Sequence, residues 1–170
     1  MPPSVNPARL LGNLLARRAF LVLGAALGIA ACDPGAFVGP SQRVDASAPV
    51  TVALLVPSGS SDQGRTVLAN SLENAARLAV AGLDGVQIDL RVYATAGNAD
   101  QAAQAARQAA DDGAQIILGP VFGEAATAAG AAVASRGINV LSFSNNTAVA
   151  GNNVFVLGMT FENTAERLLH

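Results

Sequence analysis

A chain of 170 residues is long enough to bury a core, but with only 13% charged residues and a net charge of −2 it has no basic face for nucleic acid. All ten basic residues are arginine, which excludes Schiff-base chemistry at a lysine amine and the lysine-bearing phosphate loop. The single cysteine and single histidine (the last residue, His170) leave almost no room for a disulfide, a thiolate metal site or a nucleophile–histidine pair, so the sequence predicts a non-enzyme without metal or cofactor.

Arg17 and Arg18 form a positive block, and Ala19 to Ala31 is an apolar run shorter than the roughly 20 residues that span a bilayer. A basic block, a short apolar run and small residues at its end are the parts of an export signal. Ile29-Ala30-Ala31-Cys32 resembles the lipobox of bacterial lipoproteins and falls on the only cysteine of the chain. The resemblance implies a lipid on the Cys32 thiol, cleavage before it, and attachment to a membrane on the periplasmic side of the cell envelope. Two or three acyl chains anchor firmly because each buried methylene contributes about 0.8 kcal/mol. Arg17-Arg18-Ala19-Phe20-Leu21 also resembles the twin-arginine motif, and adjacent arginines occur in ordinary signals too, so both export routes stay open. Asp33 sorts lipoproteins to the inner membrane in enteric bacteria, a rule that does not transfer reliably, so inner and outer membrane both stay open. Residues 1–31 thus read as a signal peptide and 32–49, rich in Pro, Gly and Ser, as a tether.

The pattern changes at Val50. Val50 to Val56 (VTVALLV) is a continuous apolar run ended by Pro57-Ser58-Gly59, the mark of a buried strand. A helix is predicted over Gly64–Ala81, with Leu68, Leu72, Ala75 and Ala79 on its inward stripe. Val86, Ile88, Leu90 and Val92 alternate with polar residues as a second strand. Asn98 with Gln101 three residues on opens an Ala-rich helix running to Gly113. Gln115–Leu118 reads as a third strand, Ala125–Arg136 as a helix stopped by Gly137, and Val140-Leu141 and Val154–Leu157 as two more strands; a last helix opens after Thr160.

Strands alternating with helices through short loops predict an α/β fold, an open parallel sheet with helices on both faces, over residues 50–170. Such sheets bind ligands beyond the carboxyl ends of their strands, which makes Ser58, Ser60, Gly119, Gly123, Ser144 and Asn145 the candidate cleft residues. The same loops carry residues that make good turns, and turn chemistry alone also explains them.

V-A-L-L-V-P-S-G, I-I-L-G-P-V-F and V-L-S-F-S-N-N, at the first, third and fourth strands, resemble a lobe of type I periplasmic binding proteins. G-P-V-F, L-S-F-S-N-N-x-x-V-A-G and F-V-L-G-M-T are similar to the penicillin-binding protein activators, the LppC-type lipoproteins. That resemblance implies a lipid-anchored clamshell protein whose partner is a peptidoglycan synthase. The alternative is a branched-chain amino-acid receptor of an ABC transporter, which shares the fold. In those receptors hydroxyls after the third strand hold the ligand carboxylate; here Val121-Phe122-Gly123-Glu124-Ala125 has none and adds an acid, which favours the activator. Both resemblances imply two lobes, and the sequence reads as an incomplete first lobe.

Overall fold

The structure, a computed structural model, describes Val44 and residues 46–169. The predicted Cys32 anchor, its signal and most of the tether lie outside the described residues, as does His170.

Five strands, β1 (Val50–Val56), β2 (Ile88–Ala94), β3 (Ile116–Leu118), β4 (Asn139–Ser142) and β5 (Val154–Val156), form one parallel sheet in the order β2-β1-β3-β4-β5. The most apolar strand, β1, is central and pairs with β2 on one side and β3 on the other. Helices α1 (Gln63–Ala81), α2 (Ala99–Asp111) and α3 (Gly123–Val133) connect the first four strands, and α4 (Phe161–Leu169) follows β5.

Because successive side chains of a strand point to opposite faces, β1 serves two cores. Ala53 and Leu55 join Ile117, Val140 and Val154 beneath α2 and α3. Leu54 and Val56 meet Ala69, Leu72 and Ala76 of α1. The alanines of α2 and α3 explain the first core: Ala102, Ala106, Ala109, Ala126 and Ala129 are fully buried, and their small side chains let the two helices lie close to each other and to the sheet. Gly130 completes that contact, since a methyl group there would overlap Val154 Cγ2.

The second face is thinner. α1 buries only Ala69, and its inward side carries Ala69, Leu72 and Ala76. Of the predicted Leu68, Leu72, Ala75 and Ala79, Leu72 packs on the sheet, Ala79 lines the rim of the groove beneath the helix, Leu68 is half-buried and Ala75 is exposed. The spacing was right and the stripe is centred slightly to one side of the expected one, adding Ala69 and Ala76, because alanines on both flanks let either side pass for the inner one. A groove of about 230 Å³ runs between α1 and the sheet, with Val52, Leu90, Ile116, Leu118, Leu141, Ala76 and Val80 around it.

Smaller corrections follow from local chemistry. β2 starts at Ile88, leaving Val86 outside, and runs on to Ala94, because its pairing with β1 begins at Val50↔Ile88 and ends at Val56↔Ala94. The third helix ends at Val133 and tightens into a 3-10 turn, Ala134–Arg136, which Gly137 closes at φ +68°. Asn98 caps α2 as expected, its Oδ1 accepting from Gln101 N at 2.9 Å.

Candidate functional site: a cleft at the carboxyl ends of the strands

Parallel strands bring the loops after β1, β2, β3, β4 and β5 to one edge, and side-chain oxygens fix their shapes. In the β1–α1 loop, Asp62 caps α1, its Oδ1 accepting from Gly64 N at 2.7 Å and Arg65 N at 3.2 Å. The Ser60 hydroxyl accepts from Asp62 N at 3.1 Å. After β2, the buried Thr95 donates its hydroxyl to Val56 O at 3.0 Å, tying the ends of β1 and β2 together.

The β3–α3 loop begins at Gly119, at φ +83° and joined to Pro120 by a cis peptide bond. Any Cβ at Gly119 would run into Leu55 O, so only glycine fits. Pro120 O accepts from the Ser142 hydroxyl at 2.9 Å and from Phe143 N at 3.1 Å, locking this loop to the next. After β4 the turn is built from nested acceptors: Ser142 Oγ takes Ser144 N (3.1 Å), Ser144 Oγ takes Asn146 N (3.1 Å), and Asn146 Oδ1 takes Ala148 N (3.0 Å). Gly158, after β5, passes so close to Ser144 O that a Cβ would overlap it.

Between the β3, β4 and β5 loops lies an open cleft of about 510 Å³, lined by Val121, Phe122, Gly123, Glu124, Phe143, Ser144, Asn145, Asn146, Gly158 and Met159. Of the sequence candidates, Gly123, Ser144 and Asn145 come together here. Ser58 and Ser60 sit on the β1–α1 loop and do not line this cleft, and Gly119 is buried with its N–H on Leu141 O at 2.8 Å. Sequence reasoning missed Phe143, Asn146, Gly158 and Met159. Asn146 was within reach as the second half of Asn145-Asn146, but Gly158 and Met159 enter only because β5 is the neighbour of β4, which no local pattern reveals.

The lining has a definite chemistry. Two aromatic rings and the Met159 thioether give an apolar body, the two asparagines offer amide donors and acceptors, and the only charge is the Glu124 carboxylate. A smaller hollow of about 240 Å³ shares Asn145 and Asn146 and adds Thr147, Thr160 and a second acid, Glu162. Such a surface suits a small molecule with a protonated amine and an apolar part, and it repels an unpaired anion. Among the described residues no three His, Cys, Asp or Glu side chains come together in a way that could hold a metal ion, and no helix is long and apolar enough to cross a membrane.

The fold is an open parallel α/β sheet whose strand order reverses between β1 and β3, with the cleft beside that point along the carboxyl ends of β3, β4 and β5. Residues 49–170 match the periplasmic binding protein family model, and the chain belongs to that family. No curated protein matches the chain. Solved structures with this fold include a branched-chain amino acid transporter protein of the ABC type from Rhodopseudomonas palustris, 18% identical over 65% of this chain and 33% of that one, with a TM-score of 0.55. The substrate-binding protein LivJ from Streptococcus pneumoniae, in complex with isoleucine, is 18% identical over 64% and 33%, with a TM-score of 0.56. An amino acid ABC transporter substrate-binding protein from Pseudomonas fluorescens is 22% identical over 66% and 31%, with a TM-score of 0.54. The chain thus spans about a third of the length of the solved structures it matches.

Proposed function

We propose that this chain supplies a ligand-capturing lobe of an ABC-type solute receptor in the bacterial periplasm, held to a membrane by a lipid on Cys32, and that its ligand is a small molecule carrying a protonated amine, of the amino-acid class. The observation that carries the reading is the cleft itself. It lies at the ligand edge of a periplasmic-binding-protein sheet and pairs one carboxylate, Glu124, with two asparagines and an apolar wall. The neighbours of known structure that hold isoleucine or serve amino-acid transport support the same class. This reverses the preference drawn from sequence. The absence of hydroxyls at Val121–Glu124 weighed against a carboxylate site there, but the site's chemistry suits the amine end of the same molecules.

Calorimetry of the full chain against amino acids and simple amines tests the reading. Saturable binding that Glu124→Gln weakens by about tenfold is expected, since a charge-assisted hydrogen bond is lost. Affinity for no amine at all would overturn it. The activator reading keeps one observation in its favour, that same hydroxyl-free Val121–Glu124 stretch. Recovery of a peptidoglycan synthase on the immobilised protein, with no ligand bound, would establish it instead.

The anchor is tested separately, within the proposed division into a leader (1–31), a tether (32–49) and a lobe (50–170). Fatty-acid labelling should mark the wild type and spare Cys32→Ser; equal labelling of both would remove the anchor from the proposal.

A further inference from the structure

Arg65 stands apart from the other arginines among the described residues. It alone is half-buried, and no carboxylate there lies within ion-pair distance of it. A guanidinium withdrawn from water needs acceptors, and Arg65 has found unusual ones. Its Nη1 donates to Ala96 O at 3.2 Å and Gly97 O at 3.5 Å, and its Cζ stands 4.9 Å from the centre of the Phe122 ring. Three loops meet in that contact: Arg65 belongs to the first turn of α1, Ala96 and Gly97 to the β2–α2 loop, and Phe122 to the β3–α3 loop.

The junction is tightly built. A Cβ on Gly97 would stand 2.8 Å from Arg65 Nη1 and 3.0 Å from Phe122 Cε2, and Gly97 sits at φ +70°, where side chains are strained. Its neighbour Ala96 holds φ +48° although it carries a Cβ, and its N–H reaches back to Ser58 O at 2.9 Å. The backbone here accepts an unfavourable conformation that presents two carbonyls to one cation. Phe122 is at once the aromatic partner in this junction and a wall of the cleft.

We propose that Arg65 is a positioning residue for the cleft: stacked on Phe122 and bonded to the Ala96 and Gly97 carbonyls, it holds the ring at the angle at which it lines the ligand space. Arg65 does not itself line the cleft; it acts through the ring. A cation over an aromatic face is attracted to the ring quadrupole, and the attraction strengthens as water is excluded. The inference takes the cleft to be the ligand site, on the reading given above.

The chain contains no tryptophan, so Phe122→Trp places a single fluorescent reporter in the junction of the full-length protein. Adding Arg65→Gln to that variant is expected to raise acrylamide quenching of the reporter about twofold by freeing the ring, with Arg65→Lys, which keeps the cation, falling between. Gly97→Ala presses on the same junction from the loop side and should also raise quenching, which covers the case in which the glutamine variant fails to fold. With isoleucine as the probe ligand, Arg65→Gln in the natural background should raise Kd about fivefold, and lysine should restore part of the loss. Arg77→Gln is the control, because Arg77 pairs with Glu73 on the exposed face of α1 and should leave Kd unchanged. Quenching unaltered by both Arg65→Gln and Gly97→Ala overturns the proposal, as does a glutamine loss that lysine does not relieve. If isoleucine fails to bind the wild type, that result counts against isoleucine as the ligand, and the quenching series still decides whether Arg65 positions the ring.

Discussion

Tyr93 is the only tyrosine in the chain, and its hydroxyl donates to Asp112 Oδ2 at 2.8 Å. Burial of the ring is the main cause holding its pKa above the usual 10.0; the hydrogen bond to Asp112 and that residue's negative charge push the same way. Absorbance titration therefore reads this residue alone, and its midpoint should lie above the ordinary tyrosine value. Asp112→Asn should lower the midpoint while leaving the part due to burial. The folded state keeps a proton that the unfolded chain releases near pH 10, so the contribution to stability is complete below that pH and declines as pH rises further. Phe at position 93 should flatten that alkaline decline. Gly130 gives a second test with an unusual sign. Replacing a helix-interior glycine by alanine ordinarily stabilises by about 1 kcal/mol. Here the new methyl meets Val154 Cγ2, so Gly130→Ala should instead cost about 1–3 kcal/mol in urea denaturation.

The helices and strands were largely legible because their signals are local. The apolar run of β1, the Asn98 cap and the stop at Gly82 each rest on a few adjacent residues. The inward face of α1 was legible only in part, through Leu72 and Ala79, since an alanine-rich helix offers two stripes of similar polarity and only the sheet beneath selects Ala69 and Ala76. The two faces of that sheet differ in a measurable way. Ile117 is fully buried beneath α2 and α3, whereas its neighbour Leu118 points to the thinner side and is half-buried. Ile117→Ala should cost about 2–5 kcal/mol, the usual range for a core truncation. Leu118→Ala should cost about 1 kcal/mol, because less of its surface leaves water on folding. Equal losses would mean that the α1 side is covered more completely than the groove between Val52, Leu118 and Val80 suggests.

For the molecule as a whole, the class of fold followed from alternation alone, but the cleft followed only in part. Gly123, Ser144 and Asn145 could be named because they follow strands β3 and β4 directly. Met159 and Gly158 depend on which strand ends up beside which, and the Arg65–Phe122 contact depends on three loops separated in the chain. The spatial order of the strands departs from their sequence order only where β1 lies between β2 and β3, and it is there, beside the cleft, that the Arg65–Phe122 contact forms.

The central place of β1 also has a consequence in time. Its Val52 pairs with Leu90 on one side and with Ile116 on the other, so the strand made first must wait for two helices and another strand before both its edges are satisfied. No two neighbours in this sheet are joined by a hairpin, and every pairing requires closing a loop long enough to cross over. Refolding from urea should therefore be slow for the size of the domain, in the range of about milliseconds to seconds rather than microseconds. Until β3 arrives, VTVALLV stands with one bare edge, and a chain interrupted before Ile116 would be the species most ready to pair with a copy of itself.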